Sequence, residues 1–188
     1  MMEGGDRPWG LDTLKAVEGS VPSRFIGPGD VYCSRIPHLV TTILGSCVAV
    51  CLFDPAVGIG GMNHFVLPFH PSGEAPSTRH GDYATATLIR RLGNLGADPE
   101  RLRAKVFGGS VMLMGGKNGV PSPLSVGARN VALTRGLLAE RGIPIERERV
   151  LETSGLMIKM LTSTGDVWVR KVGTASFAHV VPRVEATS

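Results

Sequence analysis

A cysteine and a histidine, each preceded by glycine, are the residues of this chain best suited to do chemistry. Cys47 follows a Gly-Ser pair, and His64 lies seventeen positions later, directly after the run Gly60–Asn63. A thiol becomes an effective nucleophile when a base takes its proton. A histidine ring can take that proton, hold it and return it to a leaving group. The two residues therefore predict nucleophilic catalysis, with Cys47 as the nucleophile and His64 as the base.

The neighbours of this pair have side chains and backbone that could support such a reaction. Gly45 lets the backbone approach a substrate closely, and the N–H groups at a turn through Ser46 could hold an oxyanion. Thr41 and Thr42 precede the cysteine on a predicted strand. A threonine hydroxyl can accept a hydrogen bond from one imidazole nitrogen and so fix which nitrogen faces the thiol.

A zinc site is the first competing interpretation. Cys47, Cys51, His64 and His70 match a Cys-x3-Cys-x12-His-x5-His pattern, which is close to the spacing of a zinc finger. A finger needs both histidines on one helix, and Pro68 between them would break that helix. We therefore expect neither a metal nor another cofactor.

A redox pair of Cys47 and Cys51 is the second competing interpretation. Four residues along one strand span about 13 Å, which is too far for a disulfide. Cys33 and Cys51 are therefore interpreted as small buried hydrophobic residues. Three cysteines form no disulfide framework, as is typical of a cytoplasmic protein.

Length and composition favour one domain in the cytoplasm. The chain has 188 residues, 43% of them hydrophobic and 5% aromatic, which predicts a mostly aliphatic core. The apolar runs are shorter than the roughly 18 residues of a membrane span, and the first residues show no signal pattern. The net charge of +4 comes from scattered basic residues, so neither membrane insertion nor nucleic-acid binding is expected.

Hydrophobic periodicity predicts a mixed α+β domain with a layered, β-sandwich-like core flanked by helices. Turn residues place a flexible tail at 1–23, the domain at 24–181 and a second tail at 182–188. The predicted strands are 40–44, 47–53, 59–67, 104–107, 157–161 and 167–172, the last two forming a hairpin with a turn at 163–166. The predicted helices are a short one at 11–17 and two longer ones at 83–95 and 127–141.

Taken together, the motifs resemble the CheD family, the chemoreceptor glutamine deamidases of bacterial chemotaxis. The resemblance spans about residues 24–175 and rests on the threonine, cysteine and histidine segments described above. It also rests on Tyr83-Ala84, the run Lys105–Gly109, and Gly127-x-Arg129-Asn130. The run Glu152–Lys159 departs from the glycine-rich stretch that such proteins usually carry there.

The resemblance implies a cysteine hydrolase that converts receptor glutamines to glutamates and releases ammonia. It carries Cys47 over as nucleophile, His64 as base and acid, and Thr41 as the residue that orients His64, with Gly45, Ser46 and Asn63 in support. It implies a fold similar to the catalytic domain of cytotoxic necrotizing factor toxins. It also implies methyl-accepting chemoreceptors as substrate, the phosphatase CheC as a possible partner, and recruitment to receptor arrays.

Two other functions stay open at this point. The chain could be a non-catalytic adaptor that binds receptors or CheC and tunes signalling, an alternative that the altered run Glu152–Lys159 keeps alive. It could also hydrolyse glutamyl methyl esters, because the same thioester would form. The intact threonine, cysteine and histidine favour the deamidase.

Overall fold

The computed structural model describes residues 11–73, 75–111 and 125–180, in which two five-stranded sheets pack face to face. The helices are α1 Leu11–Val17, α2 Gly81–Asn94 and α3 Val126–Glu140, with a short 3-10 helix at Pro99–Arg101. The strands are β1 Ser23–Phe25, β2 Val31–Ser34, β3 Leu39–Leu44, β4 Val48–Asp54, β5 Ile59–Asn63, β6 Arg103–Gly108, β7 Ile145–Val150, β8 Leu156–Leu161, β9 Val167–Lys171 and β10 Ala178–Val180.

Each sheet is mostly antiparallel. The first sheet has the order β1-β3-β8-β9-β10 and the second the order β2-β5-β4-β6-β7. Only the β1·β3 and β6·β7 pairs are parallel among the described strands. Strand β3 lies inside the first sheet and β4 lies at the centre of the second, so the segment that joins them, residues 45–47, crosses from one sheet to the other.

Strand β4 is buried on both faces, which explains its unbroken apolar run. Side chains alternate along a strand, so Ala49 and Cys51 pack into the cluster between the sheets. Val48, Val50 and Leu52 pack on the other side, in the cluster that the second sheet shares with the helices.

Helices α2 and α3 cover the outer face of the second sheet. Leu88 and Leu92 of α2 and Val131 and Leu138 of α3 are buried in the shared cluster. The hydroxyl of Ser125 caps α3 by accepting a hydrogen bond from the Ala128 N–H at 3.2 Å. Both helices thus sit against the sheet that carries the cysteine.

The predicted architecture of a layered α+β domain with two main helices is confirmed. Residues 11–23, however, do not form the flexible tail expected from their turn-rich sequence. Leu14 of α1 is only 2% exposed and packs with Leu39, Leu161 and Trp168 on the outer face of the first sheet. The rest of that predicted tail, and residues 182–188, lie outside the described residues.

Membrane crossing can be judged for the described helices. None of them combines the length and the apolar character that a membrane span requires.

Candidate functional site

Cys47 lies at the corner between β3 and β4, and the carbonyl groups of this corner are all held. The Gly45 carbonyl accepts from the Ser110 N–H at 2.8 Å, and the Cys47 carbonyl accepts from the Gly109 N–H at 2.7 Å. The Ser46 carbonyl accepts from the side-chain amide of Asn130 at 3.1 Å. The corner is therefore fixed from the side of the helices, while Gly45 and Ser46 are exposed on the opposite side.

Two glycines allow the neighbouring elements to come this close to the corner. Gly108 has a φ of +102°, and a Cβ at this position would lie 2.3 Å from the Cys47 carbonyl oxygen. A Cβ on Gly127, in the first turn of α3, would lie 2.5 Å from the Gly109 carbonyl oxygen. Both contacts are backbone contacts, so no side-chain adjustment could relieve them.

His64 lies directly after β5, where the regular strand ends earlier than the sequence predicted. Its N–H donates to the Asp30 carbonyl at 3.0 Å, and its carbonyl accepts from the Gly29 N–H at 2.7 Å. The segment 27–30 therefore replaces a strand partner at this point. The side chain is almost fully buried, and this burial lowers the pKa of His64 to about 4, against a smaller opposing effect of the Asp30 charge. The ring is accordingly neutral at pH 7.

The Thr42 hydroxyl orients the His64 ring. Its oxygen lies 2.8 Å from His64 Nδ1, and the same hydroxyl donates to the Ile26 carbonyl at 2.8 Å. A hydroxyl has one hydrogen, so Thr42 must accept from a protonated Nδ1. This leaves the lone pair of the neutral ring on Nε2, which is buried and has no partner in the described part of the chain. Nε2 is thus placed to act as a base.

The contact assigned to Thr41 by the family resemblance belongs to Thr42 in the structure. Adjacent residues of a strand point to opposite faces. Val40, Thr42 and Leu44 face the core between the sheets, whereas Thr41 points away from it. Thr41 pairs in register with Phe25 and Lys159 and makes no hydrogen bond to the histidine among the described contacts.

Cys47 and His64 share the face between the sheets. The register of β4 and β5, extended through the Val48·Phe65 bridge, sets His64 opposite Ala49. Cys47 stands two residues before Ala49, just outside the strand, and packs against the cluster between the sheets. No hydrogen bond joins the thiol to the ring among the described contacts, which is common before a substrate binds.

The thiol itself is half-buried and mainly protonated. Burial raises the pKa of Cys47, while its own backbone N–H and the nearby Arg79 guanidinium lower it. The site therefore combines a neutral thiol with a neutral imidazole.

Asn63 lies on the other face of β5 and is separated from the cysteine by the sheet. Its side-chain oxygen accepts from the Val50 N–H at 2.9 Å, and its amide donates to Thr85 of α2 at 3.4 Å. These bonds tie the second sheet to a helix. The predicted support from Asn63 is therefore indirect, because it anchors the strand that precedes His64.

Of the remaining cysteines, Cys51 is buried as predicted, whereas Cys33 is only partly buried against the cluster of the second sheet. All three are free, and Cys51 is buried with a pKa raised to about 12 by burial. Within residues 11–73, 75–111 and 125–180, no three histidine, cysteine or acidic side chains form a group that could hold a metal ion.

The sequence analysis named Asn130 only as part of a family motif, although the structure places it against the corner that carries Cys47. It is completely buried in α3, and its amide donates to two carbonyls, those of Ser46 and Val66. The available signal was a polar residue on the inward stripe of an amphipathic helix, three positions before Leu133.

This fold and cysteine–histidine site accompany a clear family match. Residues 66–171 match the family model described as CheD chemotactic sensory transduction. The chain belongs to the CheD family.

Individual relatives support the same assignment. The chain is 46% identical over 156 residues to a protein of Rhodospirillum rubrum named probable chemoreceptor glutamine deamidase CheD, covering 83% of this chain and 86% of that one. A protein of Shewanella oneidensis named probable chemoreceptor glutamine deamidase CheD 1 is 36% identical, with 83% and 75% covered. A solved structure of a DUF152-family protein from Neisseria meningitidis is a distant likeness, with a TM-score of 0.45, 12% identity, and 82% and 75% covered.

Proposed function

We propose that this protein deamidates glutamine side chains of chemoreceptors through a thioester on Cys47. The observation that carries the proposal is the unpartnered, unprotonated Nε2 of His64 on the same face as the Cys47 thiol. The names of the CheD relatives supply the substrate class. Residues with these properties fit acyl transfer from an amide to a thiol, followed by hydrolysis.

The reaction begins when Nε2 takes the thiol proton as Cys47 Sγ attacks the carbonyl carbon of the glutamine side chain. A C–S bond forms, and the carbonyl oxygen carries the negative charge of the tetrahedral intermediate. The proton on Nε2 then passes to the amide nitrogen, the C–N bond breaks and ammonia leaves. Neutral His64 next takes a proton from water, whose oxygen cleaves the thioester to glutamate, and the proton returns to the thiol.

The place and partners of this reaction follow from the substrate. A protein that modifies chemoreceptors works where their signalling domains lie, so we place it in the cytoplasm, recruited to receptor arrays. CheC is proposed as a second partner. Methyl esters of receptor glutamates would form the same thioester with methanol in place of ammonia as the leaving group.

Mass spectrometry of a cytoplasmic chemoreceptor fragment incubated with the protein tests the proposal. Conversion of specific glutamines to glutamates, absent from a sample without the protein, is the expected result. An unchanged fragment that still binds the protein would contradict the proposal and support the non-catalytic adaptor. An esterified fragment measured in parallel shows whether the ester is also a substrate.

Removal of the Thr42 hydroxyl is expected to slow turnover, whereas the same change at Thr41 is not. Thr42→Val keeps the side-chain shape and removes the acceptor of the Nδ1 proton, so the ring loses its fixed tautomer. A hydrogen bond of about 1 kcal/mol corresponds to a decrease of about fivefold in kcat. Steady-state deamidation by Thr42→Val, Thr42→Ser and Thr41→Val makes the comparison.

The serine variant keeps the acceptor and should retain most of the activity. Equal losses in Thr41→Val and Thr42→Val would show that the strand, rather than the hydrogen bond, matters. A slower Thr41 variant beside an unchanged Thr42 variant would restore the role implied by the family resemblance.

The acid limb of kcat/KM is expected near pH 4. His64 must be neutral to accept the thiol proton, and its pKa of about 4 keeps it neutral down to that pH. An unperturbed histidine with a pKa of about 6.5 would be roughly 90% protonated at pH 5.5. Deamidation measured from pH 4 to 8 should therefore be nearly constant above pH 5.5, and a limb between pH 6 and 7 would contradict the assignment.

Folding must be checked at each pH in that experiment. The unfolded chain protonates this imidazole near pH 6.5, while the folded protein does so only near pH 4. The free energy of unfolding therefore falls as the pH drops through this window. Circular dichroism at each pH separates that loss from a loss of catalysis.

A further inference from the structure

The Asn130 side chain joins the two segments that carry the reacting residues. Its amide nitrogen donates to the Ser46 carbonyl at 3.1 Å and to the Val66 carbonyl at 2.8 Å. Ser46 precedes the nucleophile, and Val66 lies two residues after His64. The pairing of the β4 and β5 segments ends at the Val48·Phe65 bridge. Beyond that bridge, the N–H groups of Val66 and Leu67 both donate to the Arg79 carbonyl instead. Asn130 thus replaces the ladder where regular pairing stops.

The bond to the Ser46 carbonyl also fixes the direction of the Cys47 N–H. Both groups belong to one peptide unit, which is planar and trans, so they point in opposite directions. Because the carbonyl points inward at Asn130 in α3, the N–H points outward, away from the helices. The effect of this N–H on the pKa of the thiol places it near the reacting sulfur.

The preceding peptide is fixed in the same way. The Gly45 carbonyl is held by the Ser110 N–H, so the Ser46 N–H also points away from the core. Neither the Ser46 N–H nor the Cys47 N–H has a backbone acceptor among the described residues. Two successive N–H groups held in this way form a site suited to a developing oxyanion.

We infer that Asn130 is a positioning residue that sets the oxyanion site by holding the Ser46–Cys47 peptide with its N–H toward the substrate. The inference rests on the proposed deamidation and adds a residue that touches none of the reacting atoms. Both amide hydrogens are in use, so the chemistry at this position requires an –NH2 group. An aspartate of the same shape would set a carboxylate against two carbonyl oxygens, and the peptide would turn away.

Two reactions of the same thiol separate positioning from general structural support. Deamidation passes through an oxyanion, whereas alkylation of Cys47 by iodoacetamide is a displacement at saturated carbon and forms none. Loss of one oxyanion donor typically lowers kcat by about 10²-fold or more. Asn130→Asp should therefore lower kcat by about 10²-fold, with KM for the receptor fragment and the alkylation rate of Cys47 little changed.

Leu138→Ala provides the matched control. Leu138 is buried in the same helix two turns away, and it makes none of the hydrogen bonds that hold the corner, so this variant should destabilise α3 without releasing the Ser46–Cys47 peptide. Its kcat should equal that of the wild type at a temperature where both proteins are folded. Asn130→Ala, which removes the donors without adding a charge, gives the same test if the aspartate variant does not fold.

Each outcome of this experiment decides a specific question. Normal kcat in both Asn130 variants, with an active wild type, would overturn the inference alone. A fall in alkylation equal to the fall in kcat would also overturn it, because Asn130 would then act on the thiol rather than on the oxyanion site. An inactive wild type would overturn the proposed function, and the inference with it.

Discussion

Cys47→Ala should have no measurable deamidase activity, with turnover at least about 10⁴-fold below that of the wild type. The proposed thioester cannot form without the Cys47 sulfur. The fold should survive, because Cys47 is only half-buried and borders the core between the sheets without filling it. The measurement is receptor deamidation by mass spectrometry, with thermal unfolding as the check on the fold.

Cys51→Ala is the natural control for this loss. Cys51 lies on β4, four residues after Cys47, and faces the same core between the sheets. It is buried, and burial raises the pKa of its thiol to about 12. Its removal should cost some stability and leave turnover unchanged. Deamidase activity that persisted in Cys47→Ala and vanished in Cys51→Ala would identify Cys51 as the nucleophile and refute the proposed mechanism.

The electrostatics of the site favour a neutral thiol and a neutral imidazole, so the proposed mechanism requires a base. A thiolate–imidazolium pair would require a histidine that holds its proton at neutral pH, and burial of His64 prevents this. Burial also raises the pKa of Cys47. In the proposed mechanism, proton transfer from the thiol to Nε2 therefore accompanies the attack.

The central strands were predictable because their sequences are apolar and β-branched over a whole element. Strands β3 and β4 begin and end within one residue of the predicted bounds. Strand β7 was missed, since its sequence Ile-Glu-Arg-Glu-Arg-Val alternates charges rather than apolar residues. It lies at the edge of its sheet, where pairing with β6 supplies the order that its own hydrophobicity does not.

The identity of the site residues depends on alternation that the sequence alone does not fix. Thr41 and Thr42 differ by one position, and only the packing of β3 against the second sheet decides which hydroxyl reaches His64. The same alternation separates Asn63 from His64. Asn130 required tertiary information of another kind, because its two acceptors lie 64 and 84 residues away along the chain.

His64→Gln is expected to lower deamidation by about 10³- to 10⁴-fold. Glutamine preserves a polar side chain near Thr42 but cannot accept and return a proton. Three steps need that transfer: attack by the thiol, departure of ammonia and attack by water. Alkylation of Cys47 needs at most one such proton transfer. The substitution should therefore slow alkylation by iodoacetamide much less than it slows deamidation.

His179→Gln tests whether the loss is specific to this histidine. His179 lies on β10, stacked on Trp168 and paired with Asp166 at 2.9 Å, on the strand farthest from β3 in the first sheet. Its replacement should leave both reactions of Cys47 unchanged. A His64→Gln protein that retained a tenth or more of the activity would exclude His64 as the proton carrier. If the rates of alkylation and deamidation fell by the same factor, the role of His64 would be limited to deprotonation of the thiol. The two later proton transfers belong to deamidation alone.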